Sequence, residues 1–217
     1  YFYQAFYDKA IRSFQRSLEI DLVMNDRLGV AQSYQNMALV LETGKEIDRG
    51  IEMYNKALDV YIELEAQAEI ASIYNNLAAC YARSNRYNKA EEKYLQALAV
   101  FRDLKDFVME AKVLYNVGVL MVRKENFDQG GKYIERALVL FKNNNDKVGE
   151  VNAYSSLGDM YFARKDYNQA IYLYNLAETK ANALNYRDMR LSNLFSLYSA
   201  YKLTGAWEKA LTTHEIY

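Results

Sequence analysis

The sequence repeats itself every forty residues, and that period leaves little freedom in how the chain can fold. With Ala71 as position 1, equivalent residues fall at Ala31, Ala111, Val151 and Leu191. Position 4 reads Tyr34, Tyr74, Leu114, Tyr154, Leu194, and position 7 reads Met37, Leu77, Val117, Leu157, Leu197. Position 8 reads Ala38, Ala78, Gly118, Gly158, Tyr198, and position 11 reads Tyr1, Leu41, Tyr81, Met121, Tyr161, Tyr201. A second set follows. Position 17 is Tyr7, Ile47, Tyr87, Phe127, Tyr167, Trp207, and position 20 is Ala10, Gly50, Ala90, Gly130, Ala170, Ala210. Position 24 is Phe14, Tyr54, Tyr94, Ile134, Tyr174, His214, and position 27 is Ser17, Ala57, Ala97, Ala137, Ala177, Tyr217.

Steps of three and four place each set on one face of a helix. Each unit is therefore an antiparallel helix pair, helix A then helix B. Large residues act as wedges, and small ones let backbones approach. Such a pair cannot bury its apolar face alone and must stack on its neighbours. The absence of proline among 217 residues removes the strongest helix breaker, so short polar turns join long helices. Asp26, Asp106 and Asp146 stand just before helix A, where a carboxylate accepts orphan backbone N–H groups; Ala66 and Tyr186 do not keep that cap. The run Asn143–Asp146 sits in register, and so reads as an inter-repeat turn rather than a linker.

The pattern aromatic-x-x-Leu-Gly/Ala-x-x-Tyr, then Ala-x-x-x-Tyr/Phe-x-x-Ala, resembles the tetratricopeptide repeat. The likeness covers the whole chain: a half repeat at 1–26, repeats at 27–66, 67–106, 107–146 and 147–186, and a partial repeat at 187–217. It implies an all-α fold, a right-handed superhelix of antiparallel helix pairs forming one solenoid domain. Position 32, where the usual shorter repeat has proline, holds Ile62, Arg102, Lys142 and Asn182, so helix B is expected to run on. This looks like the long-repeat subclass of kinesin light chains, spindle-orientation scaffolds and bacterial sensors. The closing stretch GAWEKALTTHEIY is similar to the last repeat of Bacteroidetes-type membrane-linked regulators. The chain opens on Tyr1, without an initiator Met or a signal-peptide pattern, and is read as a piece of something longer. That likeness implies a periplasmic sensory input if the chain belongs to such a regulator, and a cytoplasmic location otherwise.

In that family helix A lines the inner face of the superhelix, with positions 2, 5, 6, 9, 12 and 13 near it. Here this implies a peptide-binding groove of Gln35, Asn36, Asn75, Asn76, Lys112, Tyr115, Asn116, Asn152, Asp159 and Phe162, with Phe195 beyond. Asn is a mediocre helix former, so Asn36, Asn76 and Asn116 at position 6 ask for another reason. An amide both donates and accepts, and a row of amides can pair with a peptide backbone. The alternative is that they bridge neighbouring A helices. Exposed aromatics at Tyr115, Phe162 and Phe195 would anchor peptide side chains. Arg83 and Arg123, both at position 13, would meet an acidic partner or stand as solvated charges. The carboxylate-holding pattern of some family members is kept at Asn76 and Lys112 but lost at Gln35, Leu39 and Asn116.

Nothing points to catalysis. His214 is the sole histidine and holds a wedge position, and Cys80 is the sole cysteine, read as a buried thiol, so neither a His dyad nor a Cys-rich zinc site can form within the chain. Gly130-Gly131 lies in a helix with no preceding strand, and Glu91-Glu92 splay around a helix surface. No cofactor or metal is expected. Lys and Arg number 27 against 28 Asp and Glu, which disfavours a partner held through nucleic-acid phosphates. The longest apolar run, Val117–Val122, falls far short of the roughly 20 residues of a membrane span. The expected partner is a protein or peptide. The competing expectation is a passive scaffold, with open solenoid ends that associate into a homo-oligomer.

Overall fold

A computed structural model describes the backbone of residues 2–216 and the side chains of residues 6–216. Tyr1 and Tyr217, which would continue positions 11 and 27, lie outside the described residues. The described chain is helical throughout: α1 (Phe2–Val23), α2 (Arg27–Thr43), α3 (Ile47–Glu63), α4 (Gln67–Arg83), α5 (Tyr87–Asp103), α6 (Phe107–Arg123), α7 (Phe127–Asn143), α8 (Lys147–Ala163), α9 (Tyr167–Ala183), α10 (Arg187–Leu203) and α11 (Trp207–Ile216). Helices α2 to α10 are each 17 residues long. The longer repeat therefore lengthens A and B to equal size.

The turns share one geometry. Lys45 N–H reaches the Glu42 carbonyl at 3.1 Å, and Glu46 N–H reaches Leu41 at 2.8 Å. This is the Schellman arrangement, which satisfies carbonyls the helix leaves open. It requires a left-handed residue in every turn. Nine of the ten are not glycine: Asn25, Lys45, Glu65, Asn85, Lys105, Glu125, Asn145, Lys165 and Asn185, with Gly205 the tenth. At the following helix starts, Asp26 Oδ1 accepts from Gly29 N–H at 3.0 Å and Asp146 Oδ1 accepts from Gly149 N–H at 2.8 Å. Asn126 and Asp166 cap helices α7 and α9 in the same way.

The helices form two compact units, one ending at Asp106 and one beginning at Phe107. In the first, α1 packs on α2, α2 on α3, α3 on α4 and α4 on α5. Its core joins Val30, Ala38, Ile51, Tyr54, Tyr61, Ile73, Leu77 and Cys80. Burial of each large apolar side chain contributes about 1.5–3 kcal/mol before chain entropy is counted. In the second unit, α6 packs on α7, α7 on α8, α8 on α9, α9 on α10 and α10 on α11. Here the small positions matter most: a Cβ added at Gly118 would sit 2.5 Å from Ile134 Cγ1 and 3.0 Å from the Gly130 carbonyl oxygen.

One wedge residue behaves differently from its equivalents. Tyr54, Tyr94, Ile134 and Tyr174 are buried at position 24, but His214 is exposed. Its ring lies 5.3 Å from that of Tyr198, which fills the usually small position 8. Among the described residues α10 is the helix that packs on α11, and the imidazole is not enclosed as its equivalents are.

Candidate functional site

In the first unit, α2 carries Gln35 and Asn36, and α4 carries Asn75 and Asn76. Asn36 is exposed, while Gln35, Asn75 and Asn76 are half-buried. Gln35 Oε1 accepts from the Tyr61 hydroxyl at 3.0 Å, so that amide is partly engaged by the framework. Asn75 Nδ2 donates to Asn76 Oδ1 over a long 3.4 Å. No partner is recorded for Asn36 or for Asn76 Nδ2.

At the C-terminal ends of α2 and α4 lies an ionic cluster. Arg83 Nη1 sits 2.7 Å from Glu42 Oε1, and Nη2 donates to the Glu42 carbonyl at 3.3 Å. Tyr54 donates to the other carboxylate oxygen at 3.3 Å. Beside Glu42, the fully buried Cys80 has its thiol pushed up to about 12, first by burial and then by that carboxylate. Arg83 thus has its anion within the chain, forty-one residues earlier. Arg123, at the equivalent register position in α6, is exposed.

In the second unit, α6 carries Lys112, Tyr115 and Asn116, α8 carries Asn152, Asp159 and Phe162, and α10 carries Phe195. Lys112 and Asp159 are exposed; Tyr115, Asn116, Asn152 and Phe162 are half-buried. The Tyr115 hydroxyl and Ser156 Oγ share a hydrogen bond of 2.9 Å, so position 5 of one A helix reaches position 6 of the next. Ser155 donates to Asn193 Oδ1 at 2.6 Å, tying α8 to α10. The first bond bridges A helices through a serine at position 6, and the second joins positions 5 and 3. Burial raises the Tyr115 hydroxyl above its ordinary range. The Tyr174 hydroxyl emerges from α9 to donate to Asp159 Oδ1 at 2.7 Å. Burial raises the Asp159 carboxyl, against the pull of that bond.

The three expected aromatic anchors separate. Phe195 is 54% exposed. Phe162 instead stacks edge-on against Tyr167 at 5.4 Å and packs against the core cluster of Ala170, Tyr174, Leu197 and Ala200, because position 12 meets position 17 across the turn. Tyr115 leans on Phe141 with ring centroids 6.2 Å apart. Neither presents a free ring.

Some polar contacts had no signal in the repeat. Asn193 is 2% exposed, and its Nδ2 has no partner. It occupies position 3, apolar in Ile73, Val113 and Ala153. Glu150, also 2% exposed, lies 2.8 Å from Lys147 Nζ and 2.7 Å from Lys180 Nζ. Among the described residues no group of three His, Cys, Asp or Glu side chains is placed to hold a metal ion, and no helix is long and apolar enough to cross a membrane.

Helix pairs of constant length, stacked on small residues with polar side chains along the A helices, define an α-hairpin repeat protein, an architecture built for protein interaction. The sequence matches the family described as "Tetratricopeptide repeat" over residues 36–103 and 109–183, and the chain belongs to that family. No curated protein matches it. Its fold is similar to BtubC (BKLC) from P. vanneervenii, at 22% identity and a TM-score of 0.83, over 95% of this chain and 87% of that one. It is also similar to a Signal Transduction ATPase with Numerous Domains with a tetratricopeptide repeat sensor from Pyrococcus horikoshii, at 20% identity and a TM-score of 0.77, over 96% of this chain but only 34% of that one. A Rap protein complexed with Competence and Sporulation Factor shares the fold at 18% identity and a TM-score of 0.72, over 99% of this chain and 70% of that one.

Proposed function

We propose that this chain is a non-catalytic module that binds an extended peptide along the inner positions of its A helices, as the regulatory or sensory part of a larger signalling protein. The observation that carries this reading is the polar capacity left open there. Asn36 and Asn76 Nδ2 hold donors and an acceptor that no recorded protein group uses, on helices where Asn has no propensity to recommend it. The fold shared with a Rap protein complexed with a factor and with a repeat-bearing sensor ATPase supports the same use. A formal net charge of −1 favours a protein partner over nucleic acid.

The test is peptide selection from a random display library on the whole chain, followed by titration of a selected peptide. Asn36→Ala combined with Asn76→Ala weakens binding while helicity and Tm stay near those of the native chain. A large fall in Tm with binding intact assigns these amides to the framework.

A second reading, a scaffold that associates through its ends, draws on the apolar side chains near α11. Leu203, Trp207 and Leu211 are 55%, 65% and 61% exposed. Concentration-dependent mass in sedimentation, abolished by Trp207→Ser with Leu211→Ser, would favour it.

A further inference from the structure

We propose that the second unit holds a single basic side chain of its peptide, with Asp159 as the counter-ion; this names the chemistry of the partner and rests on the peptide-binding reading above. Asp159 is the sole acidic residue among positions 2, 5, 6, 9, 12 and 13 of α6, α8 and α10. It is exposed to solvent, yet its only recorded bond is the one Oδ1 accepts from Tyr174 at 2.7 Å. Oδ2 is left to accept from a ligand.

The surroundings shape what that ligand is. On one side the Tyr115 hydroxyl and Ser156 Oγ occupy each other at 2.9 Å. On the other, Ser196 stands beside the Tyr174 hydroxyl, and the next residue is Phe195, 54% exposed. Protein groups therefore surround the carboxylate enough to strip part of its water, and burial raises its proton affinity. They supply one neutral donor and no cation. A desolvated anion in this state is under-stabilised, and an ammonium or guanidinium with its own N–H donors answers that deficit. Phe195 offers apolar surface for the methylene stem of Lys or Arg.

Cations on the same helices limit the ligand further. Lys112, Arg123 and Lys202 occupy inner register positions, and none bonds Asp159. They repel a polybasic tract, so the segment carries one basic residue between neutral or acidic ones.

The test uses peptides selected from a random display library on the whole chain. The recovered sequences share one Lys or Arg flanked by non-basic residues. Asp159→Asn still accepts from Tyr174, so Tm is unchanged, but affinity for a selected peptide falls about tenfold or more by fluorescence anisotropy, the scale of a lost charge-assisted bond. Arg123→Gln does not lower it. Replacing the peptide's basic residue by Gln costs the same factor on the native chain and nothing on Asp159→Asn, a cycle that reads the pair independently of any change in fold. Peptides recovered without a basic residue, or bound equally by Asp159→Asn, overturn this inference and leave peptide binding standing. Recovery of no peptide overturns both.

Discussion

Arg83 and Glu42 meet at 2.7 Å across forty-one residues of sequence, joining the C-terminal turns of α4 and α2. The carboxylate is mostly covered, with 15% of its side-chain surface exposed, while the guanidinium keeps 42%. Because Tyr54 donates to the same carboxylate, losing either charged partner leaves the other group poorly satisfied. A double-mutant cycle of Arg83→Gln and Glu42→Gln in urea unfolding is expected to give a coupling of about 1 kcal/mol, diminished by salt. An acidic ligand at Arg83 must displace Glu42, so affinity for such a ligand should rise in Glu42→Gln.

Glu150 gives the stability a pH signature. Burial alone would raise its carboxyl, but Lys147 and Lys180 outweigh burial and hold it below the usual range. A folded-state pKa below the unfolded value stabilises the fold above the unfolded pKa, and that contribution is lost as pH falls through the folded value. Glu150→Gln should therefore be less stable than the native chain at neutral pH, by about 1–3 kcal/mol. The gap should close as pH drops below the ordinary carboxylate pKa of about 4.3. Urea unfolding of both chains over that range makes the comparison.

The two glycines of α7 should respond differently to one added methyl. At Gly130 a Cβ would meet Val122 Cγ2 at 2.7 Å and the Gly118 carbonyl oxygen at 3.0 Å, and backbone cannot step aside. At Gly131 the nearest atom is Met160 Sδ at 3.2 Å, the end of a flexible side chain. Gly130→Ala is expected to cost about 1–3 kcal/mol. Gly131→Ala should be near neutral or stabilising, since Ala is the better helix former. Thermal melts of the two variants check the order.

Turn residues offer a route to stabilisation. Glu65 and Lys105 hold φ of 51° and 55°, a region that costs an L side chain about 1–2 kcal/mol, while glycine enters it freely at an unfolded-chain cost of about 0.5–1 kcal/mol. Glu65→Gly and Lys105→Gly should each raise Tm, and adding both should be close to additive because the turns are separate.

Cys80 should be silent in the folded protein. It is fully buried, and its thiol is pushed up to about 12, so almost no thiolate exists at pH 8. A chromogenic disulfide reagent should label it only after denaturant is added, at the rate of unfolding.

What could be read in advance follows from which forces recur. Positions 7, 8 and 20 carry similar sizes from copy to copy, Tyr198 apart, because backbone approach depends on a side chain's bulk alone. Leu77, Ala78 and Ala90 accordingly lie buried as their spacing implied. The left-handed turns were hidden, since glycine marks only Gly205 of the ten and the Schellman bonds are backbone bonds that any side chain permits. Polar pairing was hidden for a different reason. Tyr61 to Gln35, Tyr174 to Asp159 and Arg83 to Glu42 each depend on two positions that vary independently between copies. Position 12 was expected on the inner face, yet Phe162 turned toward Tyr167, because an aromatic finds more contact in the turn than in water.

Glu150 occupies the place that Val30, Ile70 and Glu110 hold in earlier copies. Its two lysines, Lys147 and Lys180, belong to the same hairpin, so that carboxylate carries its companions wherever the hairpin is placed. Arg83 and Asn193 instead bond across hairpins, to Glu42 and Ser155, and in another slot each would lose that partner. The copies are thus numbered by their polar exceptions, and shuffled orders of the same hairpins would pay in stability for each misplaced one.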